Sequence, residues 1–313
     1  MDGVHQEAPG VLRIDHRWQG VPGLIASYLL AGDDGQDDLA LVEAGPASTA
    51  HTLLAGIRAA GQDPAEVTRI LLTHIHLDHA AAAGVLLREM PRARVYVHPR
   101  GAAHLADPSR LISSATRIYG AEMDRLWGRM LPVPADRIVT LDDGAEVRAG
   151  GRTLRALQTP GHAEHHVAYH DPAAALVFTG DVGGVRLPGS SYVRPPTPPP
   201  EFDLGRWLQS VGTLRSVRPE HLLLTHFGAF ADAGRHLDEL AARLRDWTAW
   251  ARAAVADGAD AAALAEGIRR RGDAEILAAT GDPAIVGDYE KAVAYDMIAS
   301  GLHRYLTRPP KHP

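Results

Sequence analysis

The sequence predicts an α/β protein in which sheets are covered by helices, and three observations carry that reading. Over the first hundred residues, apolar runs of strand length alternate with stretches of helical periodicity. From Ile138 the runs become short strands separated by turns of Gly, Asp and Pro. Beyond about Asp232 the pattern is purely helical.

Residues 11–14 and 24–30 read as strands, AGDDGQDD as a turn, and 39–42 as the next strand. Ser48 and Thr49 can cap a helix running to about Ala60, with Leu53, Leu54 and Ile57 on one face and Gly61 closing it. A strand over 68–73 follows Pro64, residues 80–90 read as a helix stopped by Pro91, and 95–97 as a strand. Residues 109–131 are helical in pattern and end in PVP, so they enter as an insertion in the strand–helix rhythm.

Strands follow over 138–141, 153–157, 166–169 and 176–179, then a helix over 204–217 and a strand over 222–225. The run RPPTPPPEFD is stiff and extended. In the tail, Leu237, Leu240, Leu244 and Trp247 keep helical spacing until Gly258. Asp282-Pro283 opens a helix through Tyr289, Val293, Met297, Leu302 and Tyr305. The expected organisation is a catalytic domain over 1–231, with its insertion at about 109–131, and an α-helical extension over 232–313.

Composition narrows the function classes. The 313 residues are 45% hydrophobic and 22% charged, which suits one large globular domain with an appendage. No apolar run approaches the roughly 18 residues of a membrane helix. The start, MDGVHQEAPG, lacks the basic-then-apolar order of a secretory leader, so no membrane association is expected. With no cysteine, any metal must be held by imidazole and carboxylate, and a cysteine-free chain suits the cytoplasm. The net charge of −6, without a long basic stripe, argues against nucleic acid as a partner. There are 17 histidines, and only position can separate ligands from ordinary ones.

The stretch LLTHIHLDHA places His74, His76, Asp78 and His79 directly after an apolar run. If the strand continues into residue 76, His74 and His76 share a side, because side chains alternate with period two. Asp78 and His79 then project from the first turn of a helix. One segment can thus offer two imidazoles to one ion and a carboxylate plus imidazole to another. An ion with two histidines needs a third protein ligand and keeps a position open for water. The plainer alternative is that Asp78 caps the helix and the histidines are incidental. Three later strand ends also deliver a ligand type: TPGH with His162, TGD with Asp181 and LLTH with His226. Each alone is weak; four in one chain point to a shared site.

In that order, THIHLDH, TPGH, TGD and LLTHFG resemble the metallo-β-lactamase superfamily, especially its glyoxalase II-like and lactonase-like hydrolases, over roughly residues 10–230. The resemblance implies a four-layer αββα sandwich with a dinuclear metal site at the sheet edges. It implies His74, His76 and His162 on one ion, Asp78, His79 and His226 on the other, and Asp181 bridging both. The chain departs from the family in places. Ala80 to Ala83 precede Gly84 where a glycine pair is common, and Glu43 stands where the early turn usually has Asp. Glu43 and His166 are expected to support the ligating histidines from behind; which histidine Glu43 reaches is open. His165 replaces a family glycine and is expected to face solvent rather than substrate.

Zinc suits such His/Asp ligation, as do iron and manganese. Two divalent ions roughly 3.5–4 Å apart acidify a shared water and clamp an oxyanion, which supports hydrolysis of a carboxylic ester, thioester or lactone. Asp78 and Asp181 are the catalytic carboxylates, with Asp78 as proton relay by resemblance. No G-x-S-x-G occurs, so a serine nucleophile has no support.

The loop after Asp181 offers Arg186, Tyr192 and Arg194, either to bind substrate or to rigidify the loop itself. Tyr119 and Trp127, with the tail helices, either wall an apolar pocket or belong to the core. No basic cluster in the tail suits the acidic tripeptide of a glutathione thioester. The partner is expected to be a small-molecule substrate with some apolar character, and the tail helices suit a homodimer interface as readily as a core. Three rival readings are a phosphodiesterase on the same site, a metal- or ligand-binding protein without turnover, and an oxygen-reducing diiron protein. The last needs a flavin partner domain that these residues do not supply.

Overall fold

A computed structural model describes residues 3–32 and 39–307; the turn read over AGDDGQDD lies largely outside them. One sheet has seven strands in sequence order: β1 (Val4–Ala8), β2 (Val11–Asp15), β3 (Ala26–Leu30), β4 (Leu39–Val42), β5 (Val67–Leu71), β6 (Arg94–Val97) and β7 (Ile138–Thr140). Its first four strands pair antiparallel and β4 to β7 pair parallel. Parallel neighbours need long crossovers. Here they are α1 (Ala50–Ala59), the short α2 (Leu77–Ala80) and α3 (Ala83–Leu86), then α4 (Pro99–Ala106), α5 (Ser109–Tyr119) and α6 (Met123–Leu126).

The second sheet contains β8 (Glu146–Ala149), β9 (Arg152–Gln158), β10 (Val167–Asp171), β11 (Leu176–Phe178), β12 (His221–Leu224) and β13 (Gly228–Phe230), in the order β13-β12-β11-β10-β9-β8. Its single parallel pair, β11 with β12, is spanned by α7 (Leu204–Ser216).

Alternation along the strands builds the layers. In β4, Ala40 and Val42 pack with Phe178, Tyr169 and Leu223 between the sheets, whereas Leu39 and Leu41 join the helix-covered cluster. In β12, Leu223 faces inward while Leu222 and Leu224 face the helices. Strands buried on both faces therefore read as unbroken apolar runs. The result is the expected αββα sandwich. Two tyrosines tie the sheets together: Tyr28 of β3 donates to Leu224 O at 2.6 Å, and Tyr169 of β10 donates to Leu72 O at 2.8 Å.

The tail forms α8 (Ala233–Ala256), α9 (Ala261–Thr280), α10 (Ala284–Ala292) and α11 (Tyr295–Thr307). Leu237, Trp247, Ile268, Tyr289 and Leu302 are buried in the cluster that covers the sheets. The helix expected through Tyr289 to Tyr305 is broken at Val293, which is extended at φ −147° and ψ 109°. Arg194 donates there to Val293 O, whose helical donor the break removes, and also to Tyr289 O, which keeps its bond from Val293 N. The helix expected over 80–90 is likewise two short turns. Gly84 approaches Leu131 O so closely that a Cβ would lie 2.2 Å from it, so the end of the insertion packs directly on this segment. Among the described residues no helix is long and apolar enough to cross a membrane.

Candidate metal centre

β5 ends at Leu71, so His74 and His76 come from a loop rather than from a continuing strand. His76 is the N-cap of α2, and Asp78 and His79 lie on its first turn. His162 follows β9, Asp181 sits in the turn after β11, and His226 follows β12. These segments converge at one edge of the sandwich. Their side chains form two groups that could each hold an ion: His74, His76 and His162, and Asp78, His79, Asp181 and His226.

In the first group, His76 Nδ1 lies 2.9 Å from both His74 Nε2 and His162 Nε2. In the second, His79 Nε2 is 3.0 Å from Asp181 Oδ1, and His226 Nε2 is 3.3 Å from Asp78 Oδ2 and 3.4 Å from Asp181 Oδ1. Asp181 Oδ2 turns the other way, 3.4 Å from His162 Nε2. One carboxylate thus reaches both groups.

The outward nitrogens fix what the inward ones present. His79 Nδ1 donates to Glu43 Oε1 at 2.9 Å, His226 Nδ1 to Leu24 O at 2.8 Å and His162 Nδ1 to Pro196 O at 2.9 Å. Thr73 Oγ1 donates to Glu43 Oε1, leaving its oxygen to accept from His74 Nδ1 at 3.0 Å. With their protons outward, these imidazoles turn lone pairs inward. Lone pairs facing one another cannot hydrogen-bond, and a cation satisfies them. His79 Nε2, His226 Nε2 and Asp181 Oδ1 are buried with no hydrogen-bond partner among the described residues. The residues therefore fit a pair of divalent ions.

The electrostatics agree. Burial lowers the pKa of His74 and His162, and of His76 to about 3, keeping them neutral. Burial opposes protonation at His79 and His226 too. There the carboxylates win: Asp181, Asp78 and Glu43 hold His79 well above the usual imidazole range, and Asp181 and Asp78 raise His226 to about 10. Burial resists the charge on Asp78, but His79 and His226 bring its pKa down to about 2. A buried site with this much negative charge calls for positive charge, from ions or from protons.

The other sequence expectations divide. Glu43, fully buried at a left-handed φ of 68°, joins His79, Thr73 and Thr225, which answers which histidine it reaches. His166 bonds Thr159 Oγ1 at 2.8 Å, and its ring lies 5.0 Å from that of His74. His165 is not solvent-facing: it is buried, its ring stacked 6.1 Å from His74 and its Nε2 3.6 Å from Glu201.

Arg186, Tyr192 and Arg194 do not face a substrate site. Arg186 pairs with Asp232 at 2.7 Å over the Phe230 ring, and the buried Tyr192 donates to Glu275. Arg194 is fully buried, with its guanidinium 4.1 Å from the Tyr295 ring centre. All three pin the loop after Asp181 to its neighbours; charge and aromaticity in sequence could not tell that from substrate binding.

A cavity of about 380 Å³ opens beside the centre, lined by His76, Asp78, His162 and Asp181. Its other walls come from Trp18 and Leu77, from the insertion, including Tyr119 and Trp127, from Pro196 and Pro198 to Pro200, and from the tail near Val293. Trp18 carried no signal as a lone aromatic between strands. Its part appears only in its stacking on Trp127, with centroids 4.9 Å apart.

Fold and site together define a helix–sheet–sheet–helix sandwich that gathers at one edge two groups that could each hold a metal ion. A sequence model of the metallo-beta-lactamase superfamily matches residues 20–226, and the chain belongs to that superfamily. The chain is 28% identical over 162 residues to the metallo-beta-lactamase fold-containing protein ST1585 of Sulfurisphaera tokodaii, covering 51% of this chain and 60% of that one. It is 31% identical over 165 residues to a hydroxyacylglutathione hydrolase of Cereibacter sphaeroides, covering 51% and 49%. The chain spans from about one third to three fifths of the length of the first curated relatives it matches. Among solved structures, the metallo-beta-lactamase family protein TTHA1429 from Thermus thermophilus superposes with a TM-score of 0.67 at 23% identity. That match covers 96% of this chain and 93% of that chain, a likeness of fold that includes the helical tail.

Proposed function

We propose that the chain is a dinuclear metal-dependent hydrolase that cleaves a carboxylic ester, thioester or lactone in a small molecule. The observation that carries this reading is Asp181, whose two carboxylate oxygens reach toward different ligand groups beside an open cavity. His74, His76 and His162 would hold one ion, Asp78, His79 and His226 the other, and Asp181 both. Zinc is the first choice by ligand chemistry, with iron and manganese also suited.

When bound, the ions supply a water acidified toward neutrality and Lewis acidity at the carbonyl. The chain's own residues do the rest. Outward bonds to Glu43, Leu24, Pro196 and Thr73 fix the imidazoles so that their lone pairs need no reorganisation. Asp78 Oδ2 lies 3.3 Å from His226 Nε2 and would ligate, while Asp78 as a whole is partly open to the cavity, so its other carboxylate oxygen could accept a proton and pass it to the leaving atom. The apolar walls lower the local dielectric on their side of the centre, which strengthens the charge interactions there.

The test couples metal analysis of protein from its native source with rates on aryl esters, thioesters, lactones and bis-p-nitrophenyl phosphate. Two ions per chain with ester-type turnover supports the reading. A phosphodiester rate higher by orders of magnitude would replace it with the phosphodiesterase, and two bound ions without turnover would leave a binding protein.

A further inference from the structure

The cavity differs from the metal centre in its chemistry. Beyond the ligands, its lining is mainly apolar, with Trp18, Leu77, Leu111, Ala115, Trp127 and Met297 beside prolines and small side chains, and Gln19, Ser114 and Tyr119 are its uncharged polar members. Among the described residues, three charged side chains outside the ligand groups touch it, and each already has a partner. Arg125 is held by Glu122 at 2.6 Å and Gln19 at 3.0 Å. Lys291 is held by Asp288, and Glu290 by Arg269 and the Tyr295 N–H. Arg125 and Lys291 are 58% and 47% exposed, so they belong to the mouth rather than to the wall.

The wall is also preformed. Thr197 Oγ1 donates to Ile298 O, and Gly301 of α11 sits so close to Thr197 O that a Cβ would lie 1.8 Å from it. The proline run is thereby clamped to the tail. Trp127 is fixed by its stack on Trp18 and by the edge of Tyr119 at 5.2 Å. A rigid apolar wall beside charged ligands favours an apolar body with one polar reacting end.

Resting on the hydrolase reading above, we infer that the substrate carries an uncharged apolar arm, an alkyl chain or an aromatic ring, seated between the 109–131 insertion and the tail at Val293 and Met297. Trp127 and Ala115 set the size of that arm. Among the described residues, a substrate whose recognition depends on an acidic group finds no unpaired cation on the inner wall.

The experiment uses the full metal-loaded chain and reads kcat/KM for p-nitrophenyl acetate, butyrate, hexanoate and octanoate, with p-nitrophenyl phenylacetate as the aromatic arm. S-lactoylglutathione is the acidic comparison. The expected result is a rise of roughly threefold to fourfold per methylene until the cavity is filled. Whether octanoate or phenylacetate leads assigns the arm as chain or ring. In Trp127→Ala the octanoate-to-acetate ratio falls by roughly tenfold, and in Ala115→Phe it falls because the seat is filled. Each ratio is internal to one variant, so partial misfolding does not move it.

A flat series, or S-lactoylglutathione as the fastest substrate, overturns the inference while leaving a hydrolase. Calorimetric binding of aceto-, hexano- and octanohydroxamic acid provides a readout without turnover. Tighter binding with length, in a chain that hydrolyses nothing, keeps the apolar seat and removes the hydrolase reading. Binding independent of length removes the seat.

Discussion

Glu43 Oε1 lies 2.9 Å from His79 Nδ1, with both side chains sealed from solvent. The same carboxylate takes the Thr73 hydroxyl, which in turn accepts from His74. One buried glutamate therefore orients a histidine in each ligand group. Glu43→Gln is expected to weaken metal binding by roughly 10–100-fold. Chelator competition would measure it, and Glu43→Asp should recover part of the loss if the charge is what matters. Unchanged affinity in Glu43→Gln would show that the histidines orient themselves.

Asp181 is the only described carboxylate placed in both sets of contacts, so its loss should not be local. Asp181→Ala is expected to retain at most one ion per chain by elemental analysis and to lose hydrolysis by at least about a thousandfold. Two retained ions would rule out the bridge.

Tyr192 faces Glu275 and the tail rather than the cavity. Tyr192→Phe should leave kcat/KM within about twofold and cost about 1 kcal/mol of stability, the value of one ordinary hydrogen bond. A large drop in kcat at unchanged stability would restore Tyr192 to the reacting end.

His236 of α8 donates to Gly183 O at 2.7 Å and is otherwise enclosed; burial lowers its pKa to about 4. The unfolded chain takes up this proton near pH 6.5, whereas the folded one resists it to about pH 4. The group's stabilising effect is therefore complete above pH 6.5 and is lost as pH falls toward 4, about 3 kcal/mol in all. In urea unfolding at pH 7 and pH 4, His236→Gln should shrink the difference between the two by about that amount. An unchanged difference would place the acid sensitivity elsewhere.

The fold was legible wherever burial wrote itself into the sequence. Strands β4 and β12, apolar on both faces, stood out as runs, and the segments that bring His and Asp into the two groups were visible because those residue types recur at strand ends. What escaped depends on partners distant in sequence. β1, whose side chains are mostly part-exposed, lacks an apolar run, and α10 ends where Arg194 arrives from about a hundred residues away. Asp260 and Gly281 do mark α9 at its two ends, but nothing in its sequence fixes what it packs against. The cavity was the least legible part. Its walls combine the N-terminal Trp18, the insertion, a proline run and the tail, and no local pattern says that these meet.

The two cross-sheet tyrosines have a consequence for how such a centre can change over generations. Tyr28 grips Leu224 two residues before His226, and Tyr169 grips Leu72 two residues before His74. Each acts as a caliper jaw, setting where the ligand-bearing segment leaves the sandwich. The gauge of the metal centre is thus kept by the interior of the sandwich, while the cavity walls hang from the insertion and the tail. Selection can recut those walls for a new substrate without resetting the spacing of the ligands.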